Sequence, residues 1–200
     1  RAFDTGPGVC VIDGVTRLLK PDLPFDRDGA LARAGTPIES VVDELLAHPF
    51  FAAAPPKSTG RELFTPDYIA SFVTKCRVAR KGCTDADIVA TAVLLTARSM
   101  AKAFERFVAE PVAELLLSGG GARNPALFDA IEREVGGVRA SGAFTRIGIR
   151  RFDDVCFDGD AKEAVAFAFL GWLHLKGRAG NVRSATGARG PRVLGSYTPA

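Results

Sequence analysis

Ala2-Phe3-Asp4-Thr5-Gly6-Pro7-Gly8 near the start and Leu115-Leu116-Leu117-Ser118-Gly119-Gly120-Gly121 in the second half decide how this sequence folds. Each runs from strand-like apolar residues into a glycine turn. Apolar residues at helical spacing follow both: Val11, Val15 and Leu18 after the first, Leu127, Ile131 and Val135 after the second. Strand, tight turn and helix in succession predict an α/β domain. Such a turn also suits a phosphate, because unobstructed backbone amides converge there and the helix N-terminus adds a favourable dipole. Neither turn matches Gly-x-x-x-x-Gly-Lys-Ser/Thr or Gly-x-Gly-x-x-Gly, so the P-loop and Rossmann fingerprints are lacking. Singly, either turn reads equally as a plain connection. The pair, with the carboxylate of Asp4 at the mouth of the first, points to a phosphotransferase.

Between the turns the pattern is helical. Thr36-Pro37-Ile38-Glu39 predicts a capping box with proline at the first helical position, followed by Ile38, Val41, Val42, Leu45 and Leu46 on one face. A second helix, carrying Ile69, Phe72, Val73 and Cys76, starts at Thr59 to Glu62 or at Thr65-Pro66 and ends at Gly82. Thr84 with Asp87 caps a long helix through Phe107, with Ile88, Ala92, Leu95, Ser99 and Phe104 in a stripe. These segments form a helical insertion at about residues 36–107. Outside it, Arg1 to Phe3 reads as the end of a strand and Leu115 to Leu117 as a buried strand. Asn124-Pro125 caps a helix, residues 138–149 suit one or two short strands, and Ala161 to Leu175 forms a helix. In that last helix Ala164, Ala168 and Gly171 make a small-residue seam suited to close packing.

Composition sets the outer limits. The 200 residues are 47% apolar and 24% charged, an ordinary globular mix that excludes disorder and collagen-like repeats. No apolar run approaches the roughly 20 residues of a membrane span. Lys plus Arg outnumber Asp plus Glu 26 to 23, and the excess sits in the tail, where Arg178, Arg183, Arg189 and Arg192 occur without an acid. A tail with only Tyr197 among these arginines does not resemble a nucleic-acid stripe; it reads as a solvated loop or as a place where an arginine meets an anionic ligand. Cys10, Cys76, Cys83 and Cys156 form no paired knuckles and His48 and His174 stand apart, so no metal site is expected. Free thiols without a disulfide framework predict a cytoplasmic protein. The first residue is Arg1 rather than Met, which predicts that the sequence belongs to a longer chain.

Asp4-Thr5-Gly6 also occurs in aspartic proteases, but those are almost wholly β, whereas this sequence has one such tripeptide and several capped helices. Lys57-Ser58-Thr59-Gly60-Arg61-Glu62 either touches phosphate or begins a helix, with Thr59 capping and Glu62 answering it; the structural role is favoured. Glu163 falls in the first turn of a helix, where a negative charge suits the dipole, and His174 reads as a packing residue.

The sequence resembles the carboxy-terminal half of the anhydro-N-acetylmuramic acid kinases, members of the actin, hexokinase and Hsp70 superfold. The resemblance rests on Ala2 to Gly8, His48-Pro49-Phe50-Phe51, Pro55 to Glu62, Ser118 to Pro125, Asp160 to Phe167, Gly180-Asn181 and Thr186-Gly187-Ala188, in family order. It implies an actin-like ATPase (ribonuclease H-like) lobe over residues 1–200: a mixed sheet with helices on both faces and the helical insertion. It implies Asp4 as catalytic base, and Gly6, Pro7 and Gly8 as the second phosphate loop. Gly119, Gly120, Gly121 and Asn124 would bind ATP near the adenosine, and Glu163 would contact the sugar. ATP and Mg2+ follow as cofactors, an anhydro sugar as the other partner, and a homodimer is allowed. In this family, water opens a 1,6-anhydro ring while the freed O6 takes the γ-phosphoryl group. Two departures stand out: Val9 replaces an asparagine common in relatives, and the family's amino-terminal lobe has no counterpart here. A kinase of 1,6-anhydroglucose and a catalytically silent nucleotide-binding fragment are the alternatives.

Overall fold

The computed structural model describes residues 2–60, 62–137 and 146–198. Directly after the first glycine turn, α1 (Cys10–Leu19) buries Val11, Ile12 and Val15. Next, α2 (Ala30–Ala34) is capped by the buried carboxylate of Asp26, which accepts from the amides of Leu31 at 2.8 Å and Ala32 at 3.0 Å. Then come α3 (Glu39–Leu46), the single turn α4 (Pro49–Ala52) and α5 (Pro66–Ala79), which Thr65 caps with Pro66 in the first turn. The core helix is α6 (Asp85–Phe107), started by the Thr84 and Asp87 capping box expected from sequence. It packs on α1, α2, α3 and α5, and on α7 (Pro125–Gly136). Ile88, Val89, Ala92, Leu95 and Ala97 are all fully buried, so this helix is wrapped on several sides and not merely along one stripe.

Two strands, β1 (Glu114–Leu117) and β2 (Gly148–Arg151), pair in parallel with Glu114 opposite Gly148 and Leu117 opposite Arg151. This is the one sheet among the described residues, and it makes the chain mixed α/β with a small parallel sheet. The carboxy-terminal part adds α8 (Lys162–Leu175) and α9 (Arg183–Thr186).

Several expectations need correction. Ala2 and Phe3 belong to no strand: Phe3 packs edge-on against Phe107 at 5.8 Å, and the neighbouring Asp4 amide donates to the Lys57 carbonyl. β1 is half-buried, not buried, because only Leu115 and Leu117 face the core. The box at Thr36 to Glu39 does not form. The Thr36 amide donates to Asp87 Oδ1 at 2.7 Å and the Ile38 amide to Thr91 Oγ1 at 3.0 Å, so α6 supplies the caps and the helix starts at Glu39. Thr59 caps nothing; α5 starts from Thr65. In α8, only Leu173 is buried, and no atom lies within 4 Å of a Cβ built on Gly171, so the small-residue seam meets no partner among the described residues. The strand expected over 138–149 is described from its last residues onward; 138–145 lie outside the described residues.

The four cysteines are free, with Cys76 buried and Cys156 exposed. Burial pushes the Cys76 thiol up to about 12, which keeps it protonated and unreactive. The tail is largely solvated, with Arg178, Arg183, Arg189 and Arg192 all exposed, and local hydrogen bonds run along it. Asn181 stitches it, accepting from the Arg192 amide at 2.6 Å and donating to the Gly190 carbonyl at 3.0 Å, while Arg178 lies over the Trp172 ring. His174 is half-buried and its Nδ1 donates to the Leu194 carbonyl at 2.8 Å.

Candidate functional site

The first glycine turn is fixed from below by α6. A Cβ on Gly6 would collide with the Ser99 hydroxyl, so only glycine allows this approach. One helical turn away, the Thr96 hydroxyl donates to the Gly8 carbonyl at 2.7 Å, and the Ser99 hydroxyl is held in place by the Thr96 carbonyl at 2.8 Å. The Cys10 amide closes the turn onto the Pro7 carbonyl, and α1 leaves from there.

The second turn is built without that support. Gly119 adopts φ +84°, the Gly119 carbonyl accepts from the Ala122 amide, and the Gly121 carbonyl accepts from the Asn124 amide. Asn124 then caps α7, its side chain accepting from the Leu127 amide at 3.2 Å while its own amide reaches the Asp26 carbonyl at 3.4 Å.

Tertiary structure brings these two turns together. A Cβ on Gly121 would lie 2.9 Å from Val9 Cγ1, so the residue following the first turn packs on the backbone of the second. Val9 and Asp13 form a shared wall between two cavities. The larger, about 740 Å³, is lined by Gly6, Pro7, Arg17, Thr59 and Gly60 among others. The smaller, about 600 Å³, is lined by Phe25, Arg27, Gly120, Arg123 and Asn124 among others. Burial raises the Asp13 carboxyl above its usual range, only partly opposed by Arg17.

Asp4 stands at the mouth of the first turn. Its amide donates to the Lys57 carbonyl at 3.1 Å, and its Oδ2 accepts from the Ser58 hydroxyl and from the Thr59 amide, both at 2.8 Å. Lys57 itself points elsewhere: Nζ donates to the carbonyls of Phe50 at 3.0 Å and Phe51 at 3.3 Å, between the Phe50 and Phe107 rings. Burial, with the nearby charge of Arg106, lowers its pKa. Lys57 is thus a structural anchor, though not through the helix start expected of this loop, and Arg61 lies outside the described residues.

Asp4, Gly6, Pro7, Gly8, Gly119, Gly120, Gly121 and Asn124 therefore fall within two adjoining turns. Glu163 does not join them; it is exposed in the first turn of α8 and lines neither cavity. That region is tied to the second turn by the exposed ion pair of Arg123 with Asp160 at 2.7 Å. Sequence reasoning missed Asp13 and Ser58. An acid in the first turn of the helix after a glycine turn was the available signal for Asp13; nothing local marks Ser58.

Two buried hydroxyl oxygens, Thr59 Oγ1 and Ser118 Oγ, have no hydrogen-bond partner among the described residues. Thr59 lines the larger cavity and Ser118 opens the second glycine turn, so an orphaned polar atom sits beside each turn. No three His, Cys, Asp or Glu side chains stand together among the described residues. Asp4 at the first turn and Asp13 in the cavity wall are carboxylates of the kind that Mg2+ takes beside phosphates and water.

Comparison with known proteins gives a consistent result. The family model for anhydro-N-acetylmuramic acid kinase matches residues 1–200. Similar curated proteins include the anhydro-N-acetylmuramic acid kinases of Acaryochloris marina (40% identical over 196 residues, covering 98% of this chain and 49% of that protein) and Streptomyces avermitilis (41% over 199 residues, 99% and 48%). That of Rhodococcus erythropolis is 39% identical over 199 residues, 99% and 46%. The chain spans about half the length of the curated relatives it matches. The match runs through both glycine turns and everything between them: the chain belongs to the anhydro-N-acetylmuramic acid kinase family.

Proposed function

We propose that this chain is the carboxy-terminal lobe of an actin-like sugar kinase that opens the 1,6-anhydro ring of anhydro-N-acetylmuramic acid and phosphorylates O6. The product is N-acetylmuramic acid 6-phosphate, which places the enzyme in cytoplasmic recycling of cell-wall sugars. The observation that carries this function is the meeting of the two glycine turns at Val9 and Gly121, with Asp4 at the mouth of the first. A nucleotide laid across Val9 has its phosphates over Gly6, Pro7 and Gly8 and its nucleoside toward Gly120 and Asn124.

Asp4 accepts a proton from water as the water oxygen bonds to the anomeric carbon. The bond from that carbon to O6 breaks, O6 bonds to the γ-phosphorus, and the bond to ADP breaks, so hydrolysis and transfer are one coupled event. Mg2+ bound with the phosphates would supply charge neutralisation on the transferring group, with Asp13 in the cavity wall as a carboxylate that would hold it. Glu163 is assigned to the sugar; it reaches the site only if the other half of the enzyme places the sugar over the first turn of α8.

The α8 surface supports a missing half. Phe167, Phe169 and Leu175 on α8 are 72%, 57% and 73% exposed, apolar surface that a further part of the enzyme would cover. The test is to supply the complete protein with ATP and 1,6-anhydro-N-acetylmuramic acid in 18O-water. ADP release, sugar 6-phosphate and 18O at the anomeric carbon are expected. Label in the phosphate instead would mean that water, not O6, attacks the nucleotide. The 200-residue chain alone is expected to read at background in the same assay.

A further inference from the structure

We propose that Ser58 is a positioning residue for the reaction: its hydroxyl and the Thr59 amide together occupy Oδ2 of Asp4 and leave Oδ1 as the atom that takes the proton. The proposal rests on Asp4 acting as the base. Both bonds are 2.8 Å, well within hydrogen-bond range. Nothing among the described residues hydrogen-bonds Oδ1. A carboxylate has two oxygens related by rotation about its terminal torsion, and that torsion is soft. Two donors converging on one oxygen remove this freedom, so the second oxygen keeps a fixed place relative to the turn at Gly6.

The donor segment is itself held. Pro55 and Pro56 restrict the backbone entering it, the Lys57 carbonyl accepts from the Asp4 amide, and Lys57 Nζ is tied to the carbonyls of Phe50 and Phe51. On the far side, the Gly60 amide donates to Glu62 Oε1 at 2.6 Å. Ser58 is exposed and caps no helix, so packing does not account for its hydroxyl. Lys57, next to Ser58, spends its ammonium on carbonyls and aromatic rings, so among the described residues the donors to the carboxylate are neutral.

The experiment is a double-mutant cycle in the complete enzyme. Ser58→Ala is expected to lower kcat about 10- to 100-fold, with KM for ATP and for the anhydro sugar within about twofold of wild type. Ser58→Thr, which keeps the hydroxyl, is expected to recover most of the rate. In an Asp4→Asn background, Ser58→Ala is expected to cost nothing further, because there is no base left to position. A Ser58→Ala enzyme at wild-type kcat beside a crippled Asp4→Asn would overturn the role of Ser58 alone. The same loss in both backgrounds would also overturn it, since that is how a purely structural residue behaves. An Asp4→Asn enzyme at wild-type kcat would overturn the base assignment and the role of Ser58 with it.

Discussion

The hydroxyl of Thr96 donates a 2.7 Å hydrogen bond to the carbonyl of Gly8, joining the middle of the longest helix to the first glycine turn. Thr96 is buried, so the bond is made where water competes poorly. Thr96→Val keeps the shape and removes the donor, and is expected to destabilise the fold by about 1 kcal/mol or more. Because the turn loses its support, KM for ATP in the complete enzyme is expected to rise as well. Thr96→Ser should restore both. Denaturant titration and steady-state kinetics read the two effects separately.

Asp4→Asn preserves size and the shape of the turn while removing the basic lone pair and the charge. In the complete enzyme kcat is expected to fall by about 10² to 10⁴, the usual worth of a general base. ATP affinity by calorimetry should stay near wild type. A kcat within about threefold of wild type would remove Asp4 from the chemistry.

Gly120 and Gly121 should respond differently to substitution although they are adjacent. A Cβ on Gly120 meets nothing within 4 Å, whereas one on Gly121 meets Val9 Cγ1 at 2.9 Å and Leu127 Cδ2 at 3.3 Å. Gly120→Val is expected to keep the melting temperature and, if the smaller cavity holds the nucleoside as proposed, to weaken ATP binding, since Gly120 lines that cavity. Gly121→Ala is expected to lower the melting temperature, and Val9→Ala should restore it. Equal behaviour of the two substitutions would show that the turns do not pack as described.

Asp87 links acid stability to the start of α6 and the start of α3. Hydrogen bonds from the backbone of Thr36 first, then of Thr84, hold its carboxyl below the ordinary value of 3.8. A carboxyl depressed on folding stabilises the protein above its unfolded pKa, and that contribution disappears as pH falls through the folded value. Asp87→Asn is expected to cost about 1 kcal/mol at neutral pH, the worth of a helix cap. The gap between wild type and variant should close as pH drops below about 4. A gap that persists at low pH would mean that the charge of Asp87 contributes nothing.

Local sequence determined a good deal of this molecule by itself. Capping chemistry and 3.6-residue periodicity set α5, α6 and α7, because Thr65-Pro66, Thr84 with Asp87, and Asn124-Pro125 satisfy helix ends from residues a few positions away. The glycine spacing likewise marked the turns at Gly6 to Gly8 and Gly119 to Gly121. Tertiary structure decided the rest. Whether Thr36 capped α3 depended on competition from Asp87, and a distant carboxylate aligned on the Thr36 amide won over the local box. Whether Ala2 and Phe3 formed a strand depended on a ladder partner, and none stands beside them among the described residues. Ser58 reached Asp4 only through a fold that closes 54 residues of chain, and Val9 met Gly121 the same way. Hydrogen bonds within one helical turn are written in sequence spacing; those that bring a carboxylate, its orienting hydroxyl and two glycine turns to one place exist only after the core around α6 has packed.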